Sequence, residues 1–238
     1  MTNKPKLQNG VLTLKTKRDL TDQVWEFIFD ADQALEFTPG QFFMVEIPHE
    51  GKTVKRAYSA ACLPGKKTLK LLVKYMPTGI ASGYFDKMQV GDTLEFSGPY
   101  GALTLADDYA GPIIFAVTGT GLSPVWSILE NLKAQGRKNP VHLLMGVTTA
   151  ADALYLDEFD KMVLDYPFTY TVCVEKPEEG YEGARGFVTE HISSPPIPFD
   201  PKDAKVFVVG NPVMVQAMLD ILKEKGWLAG QIYVEKFG

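Results

Sequence analysis

Hydrophobic and polar positions follow two different rhythms along this chain. Residues 11–105 form short, partly alternating runs rich in Val, Ile, Phe, Tyr and Thr, bounded by turn signals such as Thr38-Pro39-Gly40, and this pattern predicts strands. The predicted strands are Val11–Leu20, Gln23–Phe29, Gln41–Ile47, Lys52–Ala61, Thr68–Tyr75 and Asp92–Ser97. Six strands at this spacing predict a small antiparallel β-barrel. One short helix, at about Ile80–Met88, interrupts it.

From Gly111 onwards, apolar strands alternate with helical patterns. The predicted strands are Pro112–Val117, Val141–Val147, Phe168–Val174, Lys205–Val209 and Gln231–Glu235, and the predicted helices are Leu122–Gln135, Ala151–Leu164, Val188–Ser193 and Pro212–Lys225. Such alternation calls for right-handed crossovers and a parallel sheet that is covered on both faces. We therefore predict two domains, residues 1–105 and 106–238, with the boundary near 102–111.

Composition places the chain among globular proteins with ample core material, since 45% of its residues are hydrophobic and 22% are charged. No apolar run approaches the roughly 20 residues of a membrane span, and the N-terminus does not resemble a signal peptide. An iron–sulfur cluster within this chain is excluded, because Cys62 and Cys173 are the only two cysteines and a cluster needs about four thiolates. The cytoplasm is the expected compartment.

The formal net charge of −5 is unevenly distributed. Residues 1–105 carry 13 Lys/Arg and 11 Asp/Glu, whereas residues 106–238 carry 11 and 18. The acidic total argues against nucleic acid as a partner. A slightly basic first half leaves two interpretations open, a surface for an acidic protein or an ordinary solvated surface.

The segment Lys55–Ala61 offers the first candidate chemistry. On a strand, alternation places Arg56 and Tyr58 on one face and Ser59 on the other. An isoalloxazine ring needs an aromatic face, a cation for its pyrophosphate and a hydroxyl near its reactive nitrogen, and these residue types supply all three. Taken alone, the segment fits an edge strand with one exposed arginine better than a flavin site.

Three glycine-containing turns precede predicted helices. Pro77–Gly83 opens the helix of the first half, Thr118–Pro124 follows the first strand of the second half, and Val209–Met214 follows a later strand. Small residues allow close approach of a phosphate, and the first N–H groups of a helix bind anions. Ser123 is the expected N-cap of the second helix and Asn211 that of the last, with Pro124 and Pro212 as first helical residues. Ordinary capped helices remain the alternative for each.

The histidines give no sign of a metal site. His49, His142 and His191 share no spacing typical of metal ligands. A surface position or an internally satisfied side chain is expected for each of them.

Taken together, these motifs resemble the ferredoxin–NADP reductase family. Arg56-Ala57-Tyr58-Ser59 matches its R-x-Y-S flavin motif and Gly79–Ser82 its G-x-x-S pyrophosphate motif. Gly119–Pro124 resembles its nicotinamide-nucleotide loop, Gly210-Asn211-Pro212 with Met214 its C-G-x-P segment, and Glu235-Lys236-Phe237 its acidic–aromatic ending. The matches occur in family order from about residue 11 to the terminus.

The resemblance implies two cofactors and a set of residues for each. FAD is expected on the barrel, at Arg56, Ala57, Tyr58, Ser59, Val73, Lys74, Gly79, Ala81 and Ser82. A nicotinamide dinucleotide is expected on the second domain, at Thr118, Gly119, Thr120, Gly121, Gly210, Asn211, Pro212 and Met214. Tyr58 is expected to stack on the flavin and Phe237 to shield its other face. The two implied catalytic residues are Ser59, near flavin N5, and Glu235, beside the nicotinamide.

Two features of the resemblance bear on hydride transfer and cofactor choice. The family cysteine that precedes Gly210 is replaced here by Val209, so slower or less discriminating transfer is expected. NADH is slightly preferred over NADPH, because Thr148–Asp152 offers one acid and no cation for a 2′-phosphate. Lys176, after the next strand, leaves NADPH open.

The resemblance implies an FAD-dependent NAD(P)H oxidoreductase that divides a hydride into single electrons for a ferredoxin, a flavodoxin or an oxygenase component. Two alternatives remain open from the sequence. One is a flavin reductase that releases free reduced flavin, and the other is an electron-transfer subunit of a larger complex.

Overall fold

A computed structural model describes residues 5–193, 200 and 202–237. The described chain divides into two compact units. The first contains the residues up to Leu105 together with Ser123–Asn131, and the second contains Ala106–Leu122 and the residues from Leu132 onwards. None of the helices among the described residues is long and apolar enough to cross a lipid bilayer.

The first unit is an antiparallel six-stranded sheet with one helix. Its strands are β1 (Gln8–Thr21), β2 (Val24–Leu35), β3 (Phe42–His49), β4 (Lys52–Ser59), β5 (Lys66–Lys74) and β6 (Thr93–Tyr100), and its helix is α1 (Ile80–Lys87). The strand order is β4-β3-β6-β1-β2-β5. The outer strands approach each other where the N–H of Ala61 donates to the carbonyl of Lys70 at 2.9 Å, so the sheet curls into the predicted barrel.

Aromatic side chains fill this barrel and hold α1 against it. Phe27, Phe29, Phe43 and Phe85 are fully buried. Phe85 belongs to α1, and its ring lies 4.9 Å from that of Phe27. Burying a phenylalanine stabilises a fold by about 1.5–3 kcal/mol, so Phe85 contributes strongly to holding a helix with only eight residues against the sheet.

The second unit is a parallel six-stranded sheet. Its strands are β7 (Ile113–Thr118), β8 (Val141–Val147), β9 (Phe168–Val174), β10 (Ala184–Arg185), β11 (Lys205–Gly210) and β12 (Ile232–Lys236). The helices that accompany the second rhythm of the sequence are α2 (Leu122–Ala134), α3 (Leu156–Asp165), α4 (Val188–His191) and α5 (Pro212–Glu224).

The strand order of the parallel sheet, β10-β9-β8-β7-β11-β12, places a topological switch point between β7 and β11. The chain leaves β7 in one direction to form β8 and β9, and later returns to its other side as β11. In open parallel sheets, ligands bind at the carboxyl ends of the strands at such a point.

Two predicted helices differ in detail from the structure, and one strand was not predicted. The helix predicted over Ala151–Leu164 is a short 3₁₀ turn at Ala150–Asp152 followed by α3, because Tyr155 takes a left-handed conformation (φ 59°) that interrupts the helix. The helix predicted over Val188–Ser193 ends at His191. The two-residue strand β10 is too short to leave a pattern in the sequence.

Stability of the chain is expected to depend on His142, which is fully buried in β8. Its Nδ1 lies 2.9 Å from Thr169 Oγ1, and burial lowers the pKa of the imidazole to about 4 from an ordinary 6.5. Between pH 6.5 and 4 the His142 imidazole is therefore mostly protonated in the unfolded chain and mostly neutral in the folded chain. The free energy of unfolding should fall by roughly 3 kcal/mol between pH 6.5 and 4 on this account.

Denaturant titrations of the wild type and His142→Gln across this pH range test the prediction. The variant should lack this part of the acid destabilisation. The same substitution at His49, whose side chain is 40% exposed, controls for loss of an imidazole as such. Parallel pH profiles for the wild type and His142→Gln would contradict it.

Candidate functional site

Strand β4 carries the first group of predicted site residues. Within the sheet, Tyr58 lies opposite the core residue Phe43, whereas Ser59 lies opposite Phe42, so the two side chains point to opposite faces as predicted. The Tyr58 ring packs edge-on against Phe85 at 5.2 Å. Burial raises the pKa of its phenol to about 12, so Tyr58 is neutral at physiological pH.

Arg56 is the cation of this strand. Its side chain is exposed, and its Nη1 donates to the carbonyl of Lys55 at 3.0 Å. Within the described part of the chain no carboxylate forms an ion pair with it, whereas the neighbouring Lys55 pairs with Glu46 at 2.6 Å. The guanidinium is therefore available to an anionic ligand, and Arg56 lies in the same strand as Tyr58.

Val73 and Lys74, at the end of β5, differ in what they present to a ligand. The Val73 side chain is buried in the barrel core, which leaves its backbone as the part that can contact a bound molecule. The Lys74 side chain is exposed. Ala57 is also exposed, while Ser59 is 95% buried, with a relative exposure of 5%.

The start of α1 forms a compact backbone turn. The Ser82 hydroxyl accepts a hydrogen bond from the N–H of Met76 at 3.0 Å and lies 2.8 Å from the carbonyl of Met76. A Cβ at Gly79 would lie 2.7 Å from Ser82 Oγ, so only glycine fits there. The hydroxyl expected to bind pyrophosphate thus holds its own turn together.

This turn leaves backbone donors for an anion. No side chain caps Gly79, and the first turn of α1 contains no acidic residue. The first intrahelical bond is donated by Gly83 to the Gly79 carbonyl at 2.9 Å. The N–H groups of Ile80, Ala81 and Ser82 therefore have no acceptor within the helix, and the positive end of the helix dipole lies beside them. The geometry fits a pyrophosphate.

In the second unit, the turns after β7 and β11 touch each other. Thr118 Oγ1 accepts a hydrogen bond from the N–H of Asn211 at 3.2 Å. A Cβ at Gly121 would lie 2.5 Å from the carbonyl oxygen of Val209, and a Cβ at Gly210 would collide with Thr118 Oγ1. Glycine is therefore required on both sides of this contact. At Gly119, which has a φ of +53°, an added Cβ would enter open space.

The helices that follow these turns begin differently. Asn211 caps α5 as predicted, accepting from the N–H of Met214 at 2.8 Å, with Pro212 as the first helical residue. Helix α2 instead begins at Leu122 after a 3₁₀ turn at Gly119–Gly121. The prediction that Ser123 is its N-cap was wrong, because the 3₁₀ turn carries the chain directly into the helix.

Strand β12 brings the last predicted residues to the same place. Glu235 lies opposite Val209 in the parallel pairing, and the N–H of Phe237 donates to the carbonyl of Gly210 at 2.8 Å. Val209 itself is fully buried. Val209 occupies the position of the cysteine in the C-G-x-P segment of the family that the sequence resembles, so β11 has no thiol there. Met214 is 8% exposed and belongs to the core beneath α5.

Phe187 is a candidate that the sequence reasoning missed. Its ring is 57% exposed. The Glu190 carboxylate accepts from the N–H of Phe187 at 2.9 Å, and the preceding Gly186 donates to the Val174 carbonyl at 2.9 Å. These two hydrogen bonds fix the backbone just after β10, and the Phe187 ring is exposed to solvent. No sequence signature marks Phe187, because phenylalanine lacks the hydroxyl that a capping box requires at this position.

A metal is not needed to account for these residues. Among the described residues, no group of three or more His, Cys, Asp and Glu side chains is placed to hold a metal ion. What the two units offer is backbone N–H groups, glycine turns, an unpaired arginine and aromatic rings, which suit nucleotide cofactors.

Two family models match the chain. The Oxidoreductase FAD-binding domain matches residues 11–105, and the Oxidoreductase NAD-binding domain matches residues 115–220. The FAD-binding match contains β4 and α1, and the NAD-binding match contains the paired turns after β7 and β11.

Curated relatives and solved structures agree with these matches. The toluate 1,2-dioxygenase electron transfer component of Pseudomonas putida is 31% identical over 85% of this chain and 59% of its own length. The anthranilate 1,2-dioxygenase electron transfer component of Acinetobacter baylyi is 30% identical over 95% and 67%. The crystal structure of the Amycolatopsis cytochrome P450 reductase GcoB superposes with a TM-score of 0.87 at 26% identity, over 97% of this chain and 70% of that one. The chain thus spans about three fifths to two thirds of these curated relatives.

Proposed function

This chain belongs to the ferredoxin–NADP reductase family, and from that premise we propose that it is an FAD-dependent NAD(P)H oxidoreductase that delivers electrons to an acceptor protein. The observation that carries the proposal is the glycine contact between the turns after β7 and β11, at the switch point of the parallel sheet. No side chain fits at Gly121 or Gly210, while an added Cβ at Gly119 would enter open space. We propose residues 1–105 as the flavin domain and 106–238 as the nicotinamide domain.

The flavin residues divide into ring and phosphate groups. We propose that Tyr58 presents its ring to the flavin and that Ser59 lies near the reactive nitrogen. Arg56 and the free N–H groups of α1 would neutralise the pyrophosphate. Ser82 contributes indirectly, because its hydroxyl is occupied by the backbone of Met76. When bound, FAD would supply the redox chemistry that links a two-electron nicotinamide donor to a one-electron acceptor.

On the nucleotide side, the chain's contribution is orientation. The Thr118–Gly121 and Gly210–Pro212 turns would hold the pyrophosphate between two helix N-termini. Glu235 and Phe237 are anchored to β11 through backbone pairing, so they are proposed to position the nicotinamide and to shield the flavin. A group whose position and orientation are fixed in this way contributes to the rate through proximity.

The acceptor is proposed from the relatives' names and from cysteine content. The two relatives described above are named as electron transfer components of dioxygenases. This chain has two cysteines, both free, and an iron–sulfur cluster needs about four thiolates. We propose that electrons pass to a ferredoxin, a flavodoxin or an oxygenase component that lies outside these 238 residues. Free thiols also favour the cytoplasm as the compartment.

Absorption spectroscopy tests the function. The purified chain should carry flavin with the visible bands of bound FAD, and excess NADH or NADPH should bleach them without oxygen. Adding an oxidised ferredoxin should then restore the bands. A protein that takes up no flavin would overturn the proposal. Fast turnover of added riboflavin with no reduction of any one-electron carrier would replace it with a flavin reductase.

For the nicotinamide cofactor we propose NADH. Asp152 follows β8, and its carboxylate accepts from the N–H of Thr149 at 2.9 Å, so it stays near the carboxyl edge of the sheet. Lys176 is attached to this region, since its N–H donates to the Thr148 carbonyl at 2.8 Å. However, Glu175, Glu178, Glu179 and Glu182 surround that lysine in the sequence. A 2′-phosphate would meet more negative than positive charge there.

The wild type is accordingly expected to have a higher kcat/KM with NADH than with NADPH. Asp152→Asn keeps the acceptor for Thr149 and removes the charge, so kcat/KM with NADPH should rise about tenfold, equivalent to ~1.4 kcal/mol, while that with NADH changes little. Asp157→Asn, an exposed acid in the first turn of α3, is the charge control. An NADPH preference in the wild type would overturn the proposal.

Phe187 is proposed as the stacking platform for the adenine of the nicotinamide cofactor. Base–aromatic stacking contributes about 1–3 kcal/mol, so Phe187→Ala should raise the KM for NADH about 5- to 150-fold and lower kcat far less. Phe187→Tyr should behave like the wild type in steady-state assays. An alanine variant with an unchanged KM would show that the exposed ring has another purpose.

A further inference from the structure

Helix α1 is held at its carboxyl end by a lysine from outside every motif. Lys17, in β1, points its ammonium group at the last turn of the helix, where Nζ donates to the carbonyl of Asp86 at 2.8 Å and lies 3.4 Å from that of Phe85. The last carbonyls of a helix have no partner within the helix. Lys17 therefore supplies the acceptors at this end with a donor.

The position of Lys17 is closely defined. Its ammonium group lies 4.7 Å from the centroid of the Trp25 ring and 5.6 Å from that of Phe27, and 3.8 Å from the Asp86 carboxylate. Its side chain is 24% exposed, compared with 56% for Lys15 two residues earlier. Cation–π attraction and charge-assisted hydrogen bonds together fix a side chain that would otherwise be mobile.

The other end of α1 is the turn that Ser82 stabilises, where the backbone N–H groups of Ile80, Ala81 and Ser82 have no acceptor within the helix. The helix has only eight residues, and so short a helix is not stable by itself. Its position depends on Phe85 in the barrel core, on Ser82 at its start and on Lys17 at its end. If the Lys17 contact is lost, the last turn frays and the direction in which the first N–H groups point is less well defined.

We infer that Lys17 is a positioning residue for the FAD pyrophosphate, acting through α1 without touching the cofactor. This inference rests on the proposed function of α1 as the pyrophosphate site. The inference predicts different effects on two ligands, because riboflavin has the isoalloxazine ring of FAD but no phosphate. Loss of Lys17 should weaken FAD and leave riboflavin binding nearly unchanged.

The experiment compares dissociation constants of FAD and riboflavin, from flavin fluorescence, for the full chain and three variants. Lys17→Met keeps an unbranched side chain, shorter by the terminal atom, and removes the charge. Lys17→Arg restores a donor, and Lys15→Met removes the same charge from the same strand at an exposed ion pair with Asp30 (3.2 Å). A cation at a helix carboxyl terminus contributes about 0.3–2 kcal/mol, so Lys17→Met should raise the Kd of FAD about 2- to 30-fold.

The expected result is that riboflavin affinity changes less than twofold in every variant, and that Lys17→Arg and Lys15→Met retain FAD. Equal weakening of both flavins by Lys17→Met, or no weakening of FAD, overturns the inference. An equal effect of Lys15→Met also overturns it, since general charge would then be the cause. If the wild type binds FAD no more tightly than riboflavin, the proposed pyrophosphate site fails instead, which is a distinguishable outcome.

Discussion

Replacing Gly121 by alanine should leave the flavin in place and largely prevent its reduction by the nicotinamide cofactor. The added Cβ would lie 2.5 Å from the Val209 carbonyl oxygen, which forces the turns after β7 and β11 apart. Overpacking of this kind typically costs 1–3 kcal/mol. We expect the second-order rate constant for reduction of bound FAD by NADH to fall about 5- to 150-fold.

Stopped-flow reduction and flavin stoichiometry measure the two halves of this expectation. Gly230→Ala, where an added Cβ meets nothing within 4 Å, is the matched control and should reduce at the wild-type rate. Gly210→Ala should have the same effect as Gly121→Ala, because its Cβ would collide with Thr118 from the opposite side of the contact. Full-rate reduction in both glycine variants would show that this contact does not position the nucleotide.

Removing the charge of Arg56 should have the second large effect, on flavin retention. Hydrogen bonds to charged groups contribute about 1.5–3 kcal/mol, so Arg56→Ala should raise the Kd of FAD about 10- to 150-fold. Because the guanidinium has no carboxylate partner in the described chain, its removal leaves no buried charge behind. The fold should therefore remain stable, and riboflavin should lose little affinity.

Equilibrium dialysis at two salt concentrations measures the effect of Arg56. Lys55→Ala is the control, because Lys55 is adjacent in the strand but pairs with Glu46 at 2.6 Å. Arg56→Lys should recover part of the affinity, since it keeps the charge and loses the bidentate geometry. If Lys55→Ala weakens FAD as much as Arg56→Ala, the effect belongs to the general potential of the strand.

The sequence was sufficient for every strand of the two sheets except the two-residue β10, because their side-chain rhythms are local. Alternation identified the barrel strands, and apolar runs between helices identified the parallel sheet. The prediction of one helix over Ala151–Leu164 was wrong because the local side-chain pattern is helical throughout. Two features interrupt the helix, the hydrogen bond from Thr149 to Asp152 and the left-handed conformation of Tyr155. Periodicity does not register a single residue with an unusual φ.

The candidate site was predictable where short motifs carry it and not where distant strands meet. Arg56, Tyr58 and the glycine turns could be identified by residue type and spacing. The position of Phe187 depends on a hydrogen bond to the Glu190 carboxylate. The position of Lys17 depends on contacts with a helix distant in sequence, 69 residues away at Asp86. The contact between the Ser82 hydroxyl and the Met76 backbone could not be predicted from the sequence, because it depends on the local backbone geometry of the turn.

The hydrogen bond between Thr118 and Asn211 spans 93 residues of sequence, and this has a consequence for synthesis on the ribosome. Contacts between residues so far apart form late, because loop closure must precede them. The flavin segment of β4 and α1 lies wholly within the first unit and emerges much earlier. The growing polypeptide should therefore be able to bind flavin before β11 is synthesised and the nicotinamide nucleotide can bind.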